Sequence, residues 1–214
     1  QVPLREGWTT VYNPSHFNTS DDRAALLALM RAHPLGALVT HGPQGLDANH
    51  LPFEVDEAAG VLRAHVARAN PLWTQVPAEG MSAMVVFRGD DGYISPNWYP
   101  SKHETHRQVP TWNYQVVHVH GQLTVMDQER FVRGLVARLT REHEKRSKQA
   151  KPWMMGDAPA DYIDQMLAAI VGIEVTLERL EGKFKLSQNK DERDRSGAAQ
   201  GLAAIGNLGL AGLM

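Results

Sequence analysis

The sequence of 214 residues contains no cysteine. Because thiolate ligands are missing, disulfides, iron–sulfur clusters and sulfur-ligated zinc sites are excluded, and the absence fits a reducing compartment. No stretch approaches the roughly 20 apolar residues that a membrane-spanning helix requires. The first ten residues also lack a basic region followed by an apolar run. We therefore expect a cytoplasmic protein that has no membrane partner.

Common motifs of catalysis and nucleotide binding are missing as well. The chain has no GxSxG, GxGxxG or Walker-type sequence, and no order of serine, histidine and aspartate that identifies a catalytic triad. The residues alone therefore assign no catalytic acid, base or nucleophile. Whether the protein is an enzyme stays open at this point.

Neither sign of charge dominates the chain, whose formal net charge is −2 at pH 7. One segment departs from this balance, because residues 127–151 contain eight Lys or Arg against four Asp or Glu. Apolar periodicity predicts a helix that starts at Asp127, with its basic side chains away from the apolar stripe. Such a face could contact DNA, although an ordinary solvated helix face is the simpler interpretation.

Aromatic residues make up only 7% of the chain, yet several of them are concentrated in GYISPNWYPSK (92–102) and VPTWNY (109–114). Both stretches are rich in turn-forming residues. Stacked or edge-on aromatic pairs contribute about 0.5–1.5 kcal/mol beyond burial, so these rings could hold a planar ligand. Core packing or a subunit contact is an equally good interpretation of Trp98, Tyr99, Trp112 and Tyr114.

Apolar periodicity predicts one helix over 21–32, with Ser20 as its N-cap, and then a series of strands. The strands are predicted at 35–41, 46–55, 60–67, 81–87, 113–126 with a kink at Gly121, and 170–189 with a turn at Glu181 and Gly182. A second late helix is predicted near 159–169. Short strands separated by turn residues favour a mainly β, antiparallel barrel with C-terminal helices, in the α+β class.

No linker rich in proline, glycine or serine divides the main part of the chain. We therefore predict a single domain over 11–195, in which 126–170 is a helical addition. The end of the chain is rich in glycine and alanine and follows the charged run KDERDR. Because this segment has little apolar periodicity, we predict a flexible tail over 196–214.

The stretch HVARANP contains the clearest candidate for a binding site. A strand that ends near His65 and Arg68 and turns into a helix capped by Asn70 brings a guanidinium close to free backbone N–H groups. This combination is typical of a phosphate site, whereas a surface arginine beside an ordinary helix cap is the alternative. Lys102, in a loop with Ser95, is a second cation suited to phosphate.

Histidine pairs raise the question of a metal site. His118 and His120 occupy alternate positions of a predicted strand, so their rings share one face of it. The sequence places no carboxylate or cysteine near them, and zinc sites normally need three or four ligands. We therefore predict no metal site.

Six short motifs occur in an order that resembles the PaiB family, also called FMN-binding negative transcriptional regulators. The resemblance spans roughly residues 11 to 195, and six ordered motifs are far more specific than any one of them. The motifs are YNPSHF (12–17), ANHLPF (48–53), HVARANPLW (65–73), YISPNWYPSK (93–102), VPTWNY (109–114) and KLSQN (185–189).

The resemblance implies a split β-barrel of the flavin-reductase and pyridoxamine-phosphate-oxidase kind, and a homodimer with FMN at the subunit interface. It also implies which residues contact the cofactor. The phosphate is expected near His65, Arg68 and Asn70. The edge of the flavin ring is expected along a neighbouring strand, at Asn49, His50, Leu51 and Pro52. Further implied contacts are Ser95, Lys102, Thr111, Trp112 and Asn113, with Lys185 and Gln188 from the last motif.

The function implied is that of an FMN-binding negative transcriptional regulator or a flavin-dependent sensor. FMN supplies its own redox chemistry, so no protein acid or base is required. A flavin-dependent oxidoreductase is the first alternative. A haem-binding or haem-handling protein is the second, because His65, His118 or His120 could ligate iron.

Overall fold

Residues 11–214 are described by a computed structural model. The strands are β1 Leu35–Gly42, β2 Gly45–Pro52, β3 Glu54–Asp56, β4 Val61–Ala67, β5 Met81–Ile94, β6 Thr111–Met126, β7 Ile170–Thr176 and β8 Arg179–Lys185. The α-helices are α1 Arg23–Ala32, α2 Pro100–Thr105, α3 Glu129–Arg146, α4 Ala160–Ala168, α5 Glu192–Ala204 and α6 Leu208–Gly212. Short 3₁₀ helices cover Ser15–Phe17, Pro71–Gln75, Pro96–Trp98 and Met155–Asp157.

All eight strands belong to one sheet, in the order β2-β1-β5-β6-β7-β4-β3, with β8 paired to β6. The β1–β2 pair is antiparallel and runs from Leu35 opposite Pro52 to Gly42 opposite Gly45. The β4–β7 pair is antiparallel in the same way. The predicted class, mainly antiparallel β with added helices, is therefore confirmed. Within residues 11–214 no helix has the length and apolar character needed to cross a membrane.

The described chain divides into two compact units, each built from separate segments. The first unit contains residues 11–32, 88–118 and 180–214, and the second contains 33–87 and 119–179. Each unit has its own buried apolar side chains, as expected for a folded body.

In the second unit, buried side chains come from the strands, largely at alternate positions, and from α3 and α4. Phe53 and Phe87 pack edge to face, with ring centroids 5.7 Å apart. β6 runs through Gly121 without interruption, and the kink predicted there stays a prediction. The glycine is needed for another reason: a Cβ at this position would overlap the carbonyl oxygen of Thr176 on the neighbouring segment.

In the first unit, α1 and β8 correct two local predictions. Asp22 is the residue that caps α1, because its Oδ1 accepts from Ala25 N at 3.0 Å. Ser20, the predicted cap, instead accepts through Oγ from Gly182 N at 3.0 Å and so joins the helix entry to β8. The turn predicted at Glu181 and Gly182 lies between β7 and β8, and both residues are inside β8.

The end of the first unit differs most from the sequence prediction. Residues 192–212 form α5 and α6 where a flexible tail was predicted from 196. Leu202 and Leu210 are fully buried together with Tyr99. Small residues are what permits this packing, because a Cβ at Gly201 would overlap the ring of Trp98. The glycine- and alanine-rich composition here therefore reflects the close approach of α5 to Trp98.

Candidate functional site

The residues predicted to contact a cofactor fall into two groups, one in each unit. Asn49 to Pro52, His65, Arg68 and Asn70 lie in the second unit. The first unit contains Ser95, Lys102, Thr111, Trp112, Asn113, Lys185 and Gln188.

Asn70 organises the group in the second unit. Its Oδ1 accepts from Leu72 N at 2.9 Å, which confirms the predicted cap of the helix Pro71–Gln75. Its Nδ2 donates to Asn49 Oδ1 at 2.7 Å. The motifs ANHLPF and HVARANP are therefore brought together by one pair of side-chain amides.

Asn49, His50, Leu51 and Pro52 lie on β2, the strand at one end of the sheet order. His50 is exposed, and the other three are half-buried. β2 pairs on one side with β1, in a register that places His50 opposite Ala37. An edge strand presents backbone N–H and C=O groups on its outer side, and such groups can bond the rim of a planar ligand.

Arg68 is heavily engaged within its own unit. Its NH1 and NH2 groups donate to the two carboxylate oxygens of Asp127 at 3.0 and 2.6 Å. Nε donates to Ala168 O at 2.8 Å, and NH2 also donates to Ile170 O at 3.1 Å. Four of the five guanidinium N–H groups are thereby used. Hydrogen bonding to Arg68 also lowers the pKa of the Asp127 carboxyl below its ordinary value.

A pocket of ≈ 320 Å³ lies beside this ion pair. Its polar wall contains three carboxylates, from Asp127, Glu129 and Asp164, and one guanidinium, from Arg68. Its apolar wall is formed by Val132, Leu167, Ala168 and Ile170. An excess of carboxylates repels a phosphate, so this pocket does not fit one. The assignment of Arg68 as a phosphate ligand stays a prediction.

His65 presents a different kind of group. Its Nδ1 is buried and has no hydrogen-bond partner among residues 11–214. Burial lowers the pKa of the imidazole below its ordinary value of 6.5, so the ring is neutral at pH 7. A buried nitrogen without a partner is unusual, and a ligand or a water molecule would satisfy it.

In the first unit, Lys185 joins β8 to the start of β6, at Thr111 and Trp112. Its Nζ donates to Thr111 Oγ1 and to Trp112 O, the latter at 2.7 Å. The Trp112 ring is 50% exposed and lies edge-on to Tyr93, with centroids 6.2 Å apart. Its Nε1 donates to Asp91 Oδ1 at 3.0 Å. An ammonium and an exposed aromatic pair therefore belong to one small region of the unit.

The other residues of the first unit serve its local structure. Asn113 is fully buried and donates from Nδ2 to Ser187 Oγ at 2.9 Å. Gln188 accepts through Oε1 from Leu186 N at 2.7 Å. Ser95 caps the helix Pro96–Trp98 by accepting from Asn97 N at 3.2 Å. Lys102 is half-buried in α2.

For two of the aromatic residues, burial decides between contact with a planar ligand and core packing. Tyr99 is fully buried, and Trp98 packs against the same buried cluster, so both serve the core of the first unit. Burial raises the pKa of the Tyr99 phenol above its ordinary value. Within the two aromatic-rich stretches, Trp112 and Tyr93 are exposed, at 50% and 47%.

Sequence reasoning missed Asp194, a buried carboxylate at the start of α5. It accepts from Ser101 N at 3.0 Å and Ser101 Oγ at 2.6 Å. It also accepts from Gln108 Nε2 at 3.2 Å. The residue lies inside KDERDR, a run whose charge predicts solvent exposure, so the sequence contains no signal for its burial.

A carboxylate lies close to one of the paired histidines, contrary to the expectation from the sequence. Glu181 on β8 places a carboxylate oxygen within 4.8 Å of an imidazole nitrogen of His118 on β6. The expectation that no carboxylate lies near this histidine is therefore wrong, because the pairing of β8 with β6 could not be read from the sequence. The absence of a metal itself stays a prediction.

The antiparallel eight-stranded sheet with its helical additions is shared with known proteins. The chain is similar to a FAD and heme binding protein from Mycobacterium smegmatis, with 16% identity and a TM-score of 0.58 over 89% of this chain and 80% of that one. At this identity the likeness shows the fold alone. The fold is an antiparallel split β-barrel with helical additions, as predicted.

The family model described as "Putative FMN-binding domain" matches residues 11–179, and this chain belongs to that family. An uncharacterized protein of Emericella nidulans is 31% identical over 85% of this chain and 86% of its own length. The Bacillus subtilis protein named Protease synthase and sporulation protein PAI 2 is 27% identical over 86% of this chain and 85% of its own length. The resemblance to PaiB proteins is therefore confirmed, and FMN is the cofactor that defines the family.

Proposed function

We propose that this protein is an FMN-dependent sensor that acts as a negative regulator of transcription. The observation that carries the proposal is the match of the FMN-binding family model to residues 11–179. Support for a regulatory role comes from the similarity, over 86% of the chain, to the Bacillus subtilis protein whose name refers to protease synthesis and sporulation.

The side chains present fit a flavin ligand. His65 offers a neutral imidazole whose buried Nδ1 lacks a partner in residues 11–214. The outer side of β2 offers backbone groups beside Asn49, whose side chain is fixed by Asn70. FMN supplies the redox chemistry when bound, so the protein is required only to bind and orient it and to control access.

We also propose that the protein acts as a homodimer with FMN at the subunit interface. The support lies in Tyr93 and Trp112, an exposed aromatic pair in the first unit. Exposed aromatic side chains are enriched at protein interfaces and at ligand sites. Light scattering with and without FMN measures the mass, and a monomer in both conditions would contradict this part of the proposal.

A DNA contact would use the basic surface of α3 and the segment after it. Part of that charge is already matched: Arg133 pairs with Asp164 at 2.5 Å, and Arg138 with Glu54 at 2.5 Å. Arg146 pairs with Glu142 at 3.0 Å. The basic residues of 127–151 that form no ion pair within residues 11–214 are Arg130, Arg141, Lys145, Lys148 and Lys151. Five phosphate contacts would give a logarithmic salt slope of about −4.5.

The decisive experiment combines flavin and DNA binding. Titration of FMN should change the flavin spectrum and raise the melting temperature of the protein. A mobility-shift assay on the upstream region of its own operon, with competitor DNA, should show a preference that changes when FMN is saturating. Lys145→Gln with Lys148→Gln should weaken that binding, whereas Arg23→Gln with Arg107→Gln, two exposed cations of the first unit, should not.

The outcomes separate the parts of the proposal. If FMN neither binds nor stabilises the protein, flavin sensing fails. If FMN binds and no DNA preference over competitor is found, regulation through direct DNA contact fails. Oxidation of a nicotinamide cofactor by the FMN-loaded protein would then favour the oxidoreductase alternative.

A further inference from the structure

The segment that joins α3 to α4 leaves two large apolar side chains in contact with solvent. Trp153 is 42% exposed and Met154 is 64% exposed. The next residue, Met155, packs against the buried cluster in which α3 and α4 meet. The chain therefore turns one methionine inward directly after two side chains that residues 11–214 leave partly uncovered. An exposed tryptophan is enriched at surfaces that contact a partner.

The backbone that carries these two side chains is held by carboxylates. Glu144, in the last turn of α3, accepts from Trp153 N through Oε2 at 2.9 Å. Asp157 accepts from Met154 N through Oδ2 at 3.0 Å. Hydrogen bonds to an ionised group are stronger than those between neutral groups. Trp153 and Met154 are therefore positioned before a partner arrives, which lowers the entropic cost of binding.

The same segment contains three exposed lysines: Lys145, Lys148 and Lys151. Within residues 11–214, none of them forms an ion pair with Asp or Glu. Residues 141–157 contain five Lys or Arg against three Asp or Glu, so positive charge is in excess. Two of those three carboxylates are the ones that accept from the backbone amides. We call the three lysines, with Trp153 and Met154, the basic–aromatic surface.

Cations beside an uncovered indole suit a partner that is both anionic and aromatic. Lysine ammonium groups bind phosphates as point charges, and an aromatic side chain stacks on a base of any identity. A duplex covers the faces of its bases with neighbouring pairs, whereas a single strand leaves them accessible.

We propose that the basic–aromatic surface binds single-stranded DNA, with phosphates on its lysines and a base stacked on Trp153. The inference rests on the proposed function, in which this segment contacts DNA, and it names the form of DNA that the segment prefers. Unpaired bases are what Trp153 recognises, so a site on DNA is bound where the duplex is open.

An anionic membrane is the other partner that combines negative charge with apolar contacts. The acidic residues next to the surface argue against it. Asp157, which bonds Met154 N, and Asp161, in the first turn of α4, are both exposed. A broad anionic bilayer would meet these carboxylates as well as the lysines, and like charges repel. A narrow single strand need only follow the lysines.

Fluorescence anisotropy tests the inference with a labelled oligothymidine strand and with the same strand paired to oligoadenosine. We expect the wild type to bind the single strand about 10- to 100-fold more tightly than the duplex, because a base can stack on Trp153 only in the single strand. Three phosphate contacts to a single strand give a logarithmic salt slope of about −2.

Variants separate the stacking contact from the charge. Trp153→Ala should remove most of the preference for the single strand and leave duplex affinity unchanged. Trp153→Phe, which keeps a ring, should retain part of the preference. Lys148→Gln with Lys151→Gln should weaken binding of both forms. Tyr12→Ala, at an aromatic side chain of the first unit that is 83% exposed, is the control expected to change neither. Circular dichroism checks that each variant is folded.

The inference is overturned if the wild type does not prefer the single strand, or if Trp153→Ala keeps the wild-type preference. It is also overturned if phosphatidylglycerol vesicles bind the protein and oligothymidine does not. A preference for the operon duplex that Trp153→Ala leaves intact would support the proposed function and refute the inference. If FMN does not bind and the operon is not preferred, the proposed function fails, while loss of oligothymidine binding in Trp153→Ala still supports the basic–aromatic surface.

Discussion

Arg68 in the second unit and three lysines of the first unit, Lys183, Lys185 and Lys190, have charge of the same sign but different hydrogen-bond partners; we call the three lysines the lysine cluster. Arg68 holds both carboxylate oxygens of Asp127, at 2.6 and 3.0 Å. The lysines donate to oxygens that have no net charge. A ligand phosphate must compete with a carboxylate at Arg68, and with carbonyl, amide and hydroxyl oxygens at the lysines as residues 11–214 place them. A basic residue in a motif therefore indicates an anion site only where its own chain leaves the charge unmatched.

The largest effect is expected from removing the support of the lysine cluster. Lys190 Nζ lies 4.9 Å from the centroid of Tyr99, which is buried together with Leu202 of α5. Leu202→Ala should lower the free energy of unfolding by about 2–5 kcal/mol, because it opens a cavity at a fully buried position. Urea unfolding measures the change. Leu208→Ala, at a side chain that is 69% exposed, is the control. Equal losses in the two variants would mean that α5 does not depend on this packing.

A smaller effect is expected at Asp194, a buried carboxylate at the start of α5. Asp194 is 2% exposed and accepts from both N and Oγ of Ser101. Asp194→Asn should lower the free energy of unfolding by about 1.5–3 kcal/mol, since hydrogen bonds to a charged group are replaced by weaker or mismatched ones. Thermal and urea unfolding, with the exposed Glu192→Gln as control, would show it. A loss no larger than that of the control would argue against an anchoring role.

The second unit should show a pH dependence of its own through His65. Burial lowers the pKa of the folded imidazole, so the unfolded chain binds more protons once the pH falls below about 6.5. The contribution of His65 to the free energy of unfolding should therefore be constant above pH 6.5, and the stability should decrease as the pH falls below 6.5. His65→Gln should flatten this part of the curve, measured by urea unfolding at several pH values. The exposed His41→Gln should leave the curve unchanged, and a flattening there would contradict the assignment.

The smallest effect is the most direct test of charge matching. Asp127→Asn removes the negative charge that Arg68 holds, so Arg68 should gain some affinity for anions. In a Lys185→Met background, where the cluster is weakened, Asp127→Asn should increase the stabilisation by inorganic phosphate, by a few-fold in affinity. Differential scanning fluorimetry measures it. If phosphate has the same effect with and without Asp127, the ion pair is not what limits Arg68.

The sequence predicts much of the fold because its signals are local. Alternating strands, the Asn70 cap and the Pro71 helix start depend on neighbouring residues, and the structure contains each of them. Six ordered motifs were enough to predict the family. Tertiary packing was needed for Ser20, whose side chain bonds Gly182 across 162 residues of sequence instead of capping α1.

The candidate site could be predicted less completely, because charge matching is a long-range property. Arg68 and Asp127 are 59 residues apart, and no periodic pattern connects them. Trp112 and Tyr99 look equivalent in aromatic-rich turns, yet one is half exposed and the other fully buried. The burial of Asp194 and the formation of α5 and α6 could not be predicted, because a charged or glycine-rich composition normally indicates solvent exposure or flexibility.

The contact between Gly201 and the ring of Trp98 gives the molecule an internal optical reporter. Trp98 is covered by α5, whereas Trp112 is half exposed in the same unit. A soluble quencher such as iodide should therefore reach the indole of Trp112 much more readily than that of Trp98. In a variant that keeps Trp98 as its single tryptophan, with Trp8, Trp73, Trp112 and Trp153 replaced by Phe, an increase in quenching would report the release of the C-terminal helices before the rest of the protein unfolds.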